Sequence, residues 1–358
     1  MPAYLAEEHM SGKIPMRVVP GYYSQTSGIQ IGTQMSANPT DDNFTFARQL
    51  GLEWAMIALD DPADHTLENY KAVSQRFRDQ GMQIYRLADN PRCHNMPEVT
   101  LNLEGRDAKI ELYLNYIRML GAAGIHYSTY AHMGNGIWST GNEPIRGGAM
   151  ARAFRVDQAK EGWWLGQTFT GPLTHGRRYS EEELWDNYAY FIRKVVPVAE
   201  EAGVYIGIHP DDPPVYDLGG VPRCIFGNFE GYRRAIEIAD SPNVGVCLCV
   251  GCWLEGGPAM GKSVADTIRY FGAQNKLFKV HFRNVTEPMP EGFVETFLDD
   301  GYGDMHEVMR ALREVNFDGA IISDHLWRMV GGRYAAEALA VGYMRGLVQA
   351  VNNEFADA

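Results

Sequence analysis

The chain has 358 residues, 45% of them hydrophobic, 22% charged and 11% aromatic. That balance belongs to a globular chain with a large core and excludes disordered, collagenous and coiled-coil classes. Its 45 acidic side chains outnumber the 32 basic ones, for a formal charge of −13, so the summed field repels polyanions, and neither nucleic acid nor an anionic membrane surface is an expected partner.

Apolar runs of strand length recur along the chain, each followed by a segment of helical period, which is the pattern of a parallel α/β architecture. In chain order the predicted strands are Ile29–Met35, Trp54–Asp60, Gln83–Asp89, Ile125–Met133, Val204–His209, Val244–Val250, Leu277–Phe282 and Ala320–Asp324. Eight such units close a (β/α)8 TIM barrel, read here as one domain over residues 1–358. Met16–Tyr23 competes for the place of the first strand, but Pro20 argues against a central strand there. Ile110, Leu114, Ile117 and Leu120 mark one wall helix.

Between residues 133 and 179 the alternation lapses into a long loop insertion after strand four, rich in Gly, Trp and Thr. Its aromatic content argues for packed structure, and two readings are open: a lid over the barrel mouth or an oligomer contact. A helix then opens at Ser180, whose hydroxyl with Glu183 makes a capping box, and the stripe Leu184, Tyr188, Phe191, Val195, Val198 runs to Gly203. Asp304 with Glu307 repeats the capping pattern before Val308 and Leu312. No basic-then-apolar leader and no stretch of membrane-span length occurs, so a cytoplasmic location is expected.

Four consecutive predicted strands end on metal-competent side chains, His209, Cys249, His281 and Asp324. Barrel active sites lie at the C-terminal strand ends, and two imidazoles, a thiolate and a carboxylate suit a divalent transition ion. Strand parity supports the grouping. Tyr205, Gly207 and His209 share the inner face, as do Cys247 with Cys249 and Lys279 with His281 and Arg283. Val246, Leu248, Phe278, Val280 and Phe282 then face the helices. Cys224 and Cys252 read as structural, and His94 has no comparable context. Phosphate loops, dinucleotide fingerprints, nucleophile elbows and His-Glu-x-x-His helices are missing, which removes nucleotide-dependent and serine-hydrolase readings.

At these residues the sequence resembles the mannonate dehydratase family, metal-dependent barrel lyases related to xylose-isomerase-like sugar enzymes. The resemblance spans Ser180 to Tyr343 through His209-Pro210-Asp211-Asp212-Pro213-Pro214, Gly220-Val221-Pro222-Arg223, Cys249-Val250-Gly251, His281-Phe282-Arg283-Asn284-Val285, Phe293-Val294-Glu295-Thr296 and Asp324-His325. It implies metal ligation by His209, Cys249, His281 and Asp324, with Mn2+ the family expectation and Fe2+, Co2+ or Zn2+ compatible with a thiolate. His325 matches the family's catalytic histidine, and Tyr334 is the candidate for its loop tyrosine. The family's opening Trp-Tyr-Gly segment has no match here.

The implied activity is dehydration of a sugar acid, D-mannonate or a related aldonate, to a 2-keto-3-deoxy acid, with His325 as acid or base. The expected partners are a small sugar acid and further copies of the chain in a homo-oligomer. Arg283 is either a clamp for the substrate carboxylate or a structural ion-pair partner. Asp211, Glu295, Arg328 and Arg333 are supporting candidates. Because His325 directly follows Asp324, alternation turns it away from the barrel axis unless the strand has ended. A metal-dependent isomerase or epimerase, a barrel acting on another sugar or glycoside, and a non-catalytic sugar-acid binder remain open alternatives.

Overall fold

Eight apolar segments pair side by side in a computed structural model of the protein, which describes residues 14–214, 216–223 and 225–356. They are β1 (Gln30–Gln34), β2 (Trp54–Leu59), β3 (Gln83–Asp89), β4 (Tyr127–Ala131), β5 (Tyr205–His209), β6 (Val244–Cys249), β7 (Leu277–His281) and β8 (Ala320–Ile322). The order is β3-β2-β1-β8-β7-β6-β5-β4 with every neighbouring pair parallel. A parallel bridge between Asn95, in the segment after β3, and Ala131, the last residue of β4, joins the two free edges. The result is a TIM barrel nearly closed by backbone hydrogen bonds, with all eight predicted strands in it.

Helices α1 (Asp41–Gln49), α2 (Leu67–Asp79), α3 (Arg106–Ala122), α4 (Glu181–Ala202), α5 (Phe229–Ala239), α6 (Val264–Ala273), α7 (Met305–Glu314) and α8 (Gly332–Ala356) surround the sheet. The caps follow the sequence signals. Ser180 Oγ accepts from Glu183 N at 3.2 Å while the Glu183 carboxylate accepts from Ser180 N at 2.8 Å. Gly203 ends α4 in the left-handed region, with φ 62°. Among the described residues no helix is long and apolar enough to cross a membrane. Cys224 lies outside the described residues, as do residues 1–13 of the N-terminal stretch.

Two apolar clusters divide the core. The larger lies between strands and helices and takes Ile206, Ile208, Val246, Leu248, Val280 and Phe282, the outward positions. The smaller fills the floor of the barrel with Met16, Val19, Tyr22, Trp54, Met56, Tyr85, Tyr127 and Phe278. Met16–Tyr23 is therefore no barrel strand but part of this floor, and each large side chain buried there contributes about 1.5–3 kcal/mol. Phe278 overturns simple alternation. Val246 pairs with Leu277 and Cys247 with Lys279, so Phe278 is an extra residue that turns inward while Lys279 and His281 keep their inner positions.

The insertion expected after β4 is present and, as its aromatic content argued, it is packed structure. It folds into short antiparallel strands, and Met150–Arg155 pairs on one side with Gly141–Pro144 and on the other with Gly292–Thr296 from the loop after β7. Ile137–Trp138, Glu161–Trp164 and Gln167–Thr170 form a second small sheet. Excursions from two barrel loops are thus joined by backbone pairing, and Trp138 N donates to Asp212 O at 3.1 Å.

Candidate active site

β5, β6 and β7 deliver His209, Cys249 and His281 as their last residues, and Asp324 follows two residues after β8. His209 Nε2 lies 3.2 Å from His281 Nδ1, which lies 3.0 Å from Asp324 Oδ1, and Cys249 Sγ is 3.7 Å from Asp324 Oδ2. The ligating atoms of Cys249, His281 and Asp324 all fall within 4.8 Å of one another. His209 Nδ1 donates to Pro210 O at 2.7 Å, which leaves Nε2 facing the other donors. His281 Nε2 contacts Cys247 Sγ at 3.6 Å, leaving Nδ1 on the donor side. Borderline nitrogen, sulfur and carboxylate donors in one ring fit a divalent transition ion.

Electrostatics favours the ligating forms. Burial opposes ionisation of Cys249, but the contact from Cys252, with Arg283 and His209, reverses it and holds the thiol well below its ordinary value. Burial likewise opposes the Asp324 carboxylate and is outweighed by His281, His325 and Arg283, which hold it well below the usual range.

His325 reaches the same cluster. β8 ends at Ile322, and Asp324 takes the left-handed backbone conformation with φ 61°, which breaks the alternation and brings consecutive side chains to one site. His325 Nδ1 lies 2.8 Å from Glu295 Oε1 and its Nε2 4.0 Å from Asp324 Oδ2. Its side chain is 40% exposed, against 8% for Asp324. Burial alone would lower its basicity, yet Asp324 and Glu295 raise it above the ordinary imidazole value.

Arg283 has both its Nη atoms engaged by protein carboxylates. It lies 2.9 Å from Glu295 and 2.6 Å from Glu255, with Asp324 at 3.2 Å and Asp212 at 3.4 Å. Its Nη2 also donates to Cys252 Sγ at 3.2 Å. Of the two roles open for it, the geometry is that of the ion pair. A Cβ at Gly251 would overlap this side chain, so the Cys-Val-Gly-Cys turn requires glycine there. Arg152, from the strands after β4, donates to Glu295 Oε1 at 2.8 Å and ion-pairs with Asp212. Glu295 Oε1 thus receives Arg283, Arg152 and His325 together. Burial opposes ionisation of Asp212 and Glu295; Arg152 and Arg283 hold Asp212 well below the carboxylate range, and His325 with the two arginines lowers Glu295. Burial, reinforced by Asp212, pushes Glu255 well above it.

The other candidates fall elsewhere. Tyr334 is 45% exposed, accepts from Asn43 Nδ2 at 2.7 Å and packs on Phe46 in a separate cavity of about 440 Å³ between α1 and α8. Arg333 lines that cavity and donates to Gln34 O at 2.7 Å, while Arg328 bridges backbone to backbone with Met150. Asp211 is buried, and burial pushes its carboxyl up to about 6 against Arg223 and His209. Sequence reasoning missed Arg152, Glu255, Cys252 and His94. For Cys252 a signal existed, since Cys249-x-x-Cys252 places both thiols at the start of the short helix Val250–Gly256.

The family described as D-mannonate dehydratase (UxuA) matches residues 162–357. The chain is 30% identical to the mannonate dehydratase of Oceanobacillus iheyensis over 311 residues, covering 80% of this chain and 86% of the relative. It is 32% identical to that of Streptococcus pneumoniae over 310 residues, 79% and 82% of the two chains. The crystal structure of mannonate dehydratase from Streptococcus suis serotype 2 superposes with a TM-score of 0.79 at 28% identity, covering 92% of this chain and 95% of that one. A xylose isomerase domain protein from Planctomyces limnophilus, 12% identical with a TM-score of 0.60, shares the barrel fold. The chain belongs to the mannonate dehydratase family, a family of hydro-lyases.

Proposed function

We propose that the protein dehydrates a sugar acid, D-mannonate to 2-keto-3-deoxy-D-gluconate or a related aldonate. The reaction removes a proton from the carbon beside the carboxylate and a hydroxide from the next carbon, and negative charge develops on oxygen in both steps. A divalent ion held by His209, Cys249, His281 and Asp324 would supply Lewis-acid charge and a template for the oxygens, with Mn2+ the family expectation and Fe2+, Co2+ or Zn2+ compatible with the thiolate.

The observation that carries the reading is the placement of His325. Glu295 holds its Nδ1 at 2.8 Å, its Nε2 lies 4.0 Å from Asp324 outside hydrogen-bond range, and 40% of the side chain is exposed. A ring fixed on one nitrogen and free on the other is suited to giving a proton to a leaving hydroxyl or taking one from carbon. Arg283 and Arg152 act as positioning residues, since both anchor the carboxylate that fixes His325. The test is steady-state formation of 2-keto acid from D-mannonate by metal-loaded protein. His325→Gln should keep the metal and lose about 10²–10⁴ in kcat; a variant with wild-type kcat removes His325 from the reaction.

A further inference from the structure

An aldonate brings a carboxylate that must be held, and Arg283, the residue whose fork suits it, is filled by four protein carboxylates. Two other cations face the barrel interior, and each directly follows a one-residue irregularity in its strand. On β7 the extra residue is Phe278, which sets Lys279 inward opposite Cys247; on β3 it is Tyr85, since Ala55 pairs with Ile84 and Met56 with Arg86. In each case the extra residue is an aromatic of the floor cluster, and the cation stands next to it in the chain.

Neither cation has an ion-pair partner among the described residues. Lys279 is 1% exposed, yet its ammonium makes no hydrogen bond or ion pair with any described residue. Cys247, Cys249, Asp324 and Arg86 lie within electrostatic range of it. Arg86 forms no ion pair among the described residues; its Nη2 meets Asn90 Oδ1 at 3.4 Å and His94 Nδ1 at 3.2 Å, and its buried Nε has no acceptor. The His94 ring stacks on Trp164 at 5.0 Å, and the Trp164 Nε1 donor is also buried without an acceptor. Two like charges in the barrel and two orphaned N–H donors on either side of His94 are costly until an acceptor-rich anion meets them.

We propose that Lys279 and Arg86 form the subsite for the carboxylate of the substrate, beside the metal donors, with Trp164 and His94 as its wall. This rests on the sugar-acid reading above. The subsite explains why a barrel interior next to a metal centre keeps a buried lysine unpaired, and it assigns the specificity for acids over neutral sugars to β3 and β7.

The test is calorimetric binding to the metal-loaded full chain, comparing D-mannonate with its neutral amide, with metal content measured on the same samples. The wild-type protein should prefer the acid, and Lys279→Met should weaken acid binding by roughly 10–100-fold, abolish the preference and keep the metal. Arg86→Met is the second variant, expected to act in the same direction, and decides the matter if the first does not fold. Equal wild-type affinity for acid and amide, unchanged acid affinity in the variants, or loss of metal alongside affinity would each overturn the subsite. A wild-type protein that binds D-mannonate through Lys279 but forms no 2-keto acid would instead overturn the dehydratase reading and leave the subsite standing.

Discussion

Asp324 and His325 are neighbours in sequence and reach the same cluster, Asp324 at 3.0 Å from His281 and His325 at 2.8 Å from Glu295. The left-handed conformation of Asp324 makes this possible. Asn tolerates that conformation and Ala does not. In metal-free protein, Asp324→Ala should therefore be less stable than Asp324→Asn by roughly 1–2 kcal/mol in urea unfolding, while both lose metal affinity. Equal stability of the two variants would show that the kink imposes no constraint.

Metal binding and folding should separate. The floor cluster and the sheet–helix core contain none of the donors His209, His281 and Asp324. Cys249→Ala and His209→Ala are expected to lose the ion and all activity while keeping the far-ultraviolet circular dichroism of the parent. Chelation should lower the Tm of the parent and not of the variants. Stoichiometric metal retained by either variant would mean that the ion sits elsewhere.

Arg152 is the link between the strands after β4 and the site. Its side chain is 15% exposed and lies against Asp212 and Glu295. Arg152→Met leaves those carboxylates with one arginine fewer, and removal of one partner from a buried pair costs about 3–5 kcal/mol. The urea midpoint should fall accordingly. A loss below about 1 kcal/mol would place Arg152 with ordinary surface pairs.

The same carboxylates set the response to acid. Asp212 and Glu295 are held below their ordinary values in the folded protein. Each therefore contributes stability that is present above its unfolded value, about 4, and is lost as pH falls through the lowered folded value. Stability should decline below about pH 4, and Arg152→Met should flatten that decline. An identical slope in the variant would remove Arg152 as the cause.

The barrel was legible because strands covered on both faces read as nearly continuous apolar runs, such as Val244–Cys249 with every residue buried. The donor ring was legible for a related reason, since a barrel brings its strand ends together. Alternation failed where β7 carries an extra residue, at Phe278, because nothing local marks a bulge. The segment after β4 read as a loop because its strands are short and solvent-washed. In Gly141–Pro144 the residues are exposed or half-exposed, so no apolar alternation exists to be seen. The reach of Arg152 into the site depends on pairing between Met150–Arg155 and Gly292–Thr296, segments far apart in the chain, and Tyr334 was drawn to Asn43 and Phe46 instead of the donors.

The most direct measurement is mass spectrometry of D-mannonate after incubation with the Mn2+-loaded protein. Dehydration gives a product lighter by one water, formed by the parent protein and not by Cys249→Ala. A product of unchanged mass but altered retention would identify an isomerase or epimerase on the same barrel. Unaltered D-mannonate in the presence of bound metal would contradict the assignment of this substrate.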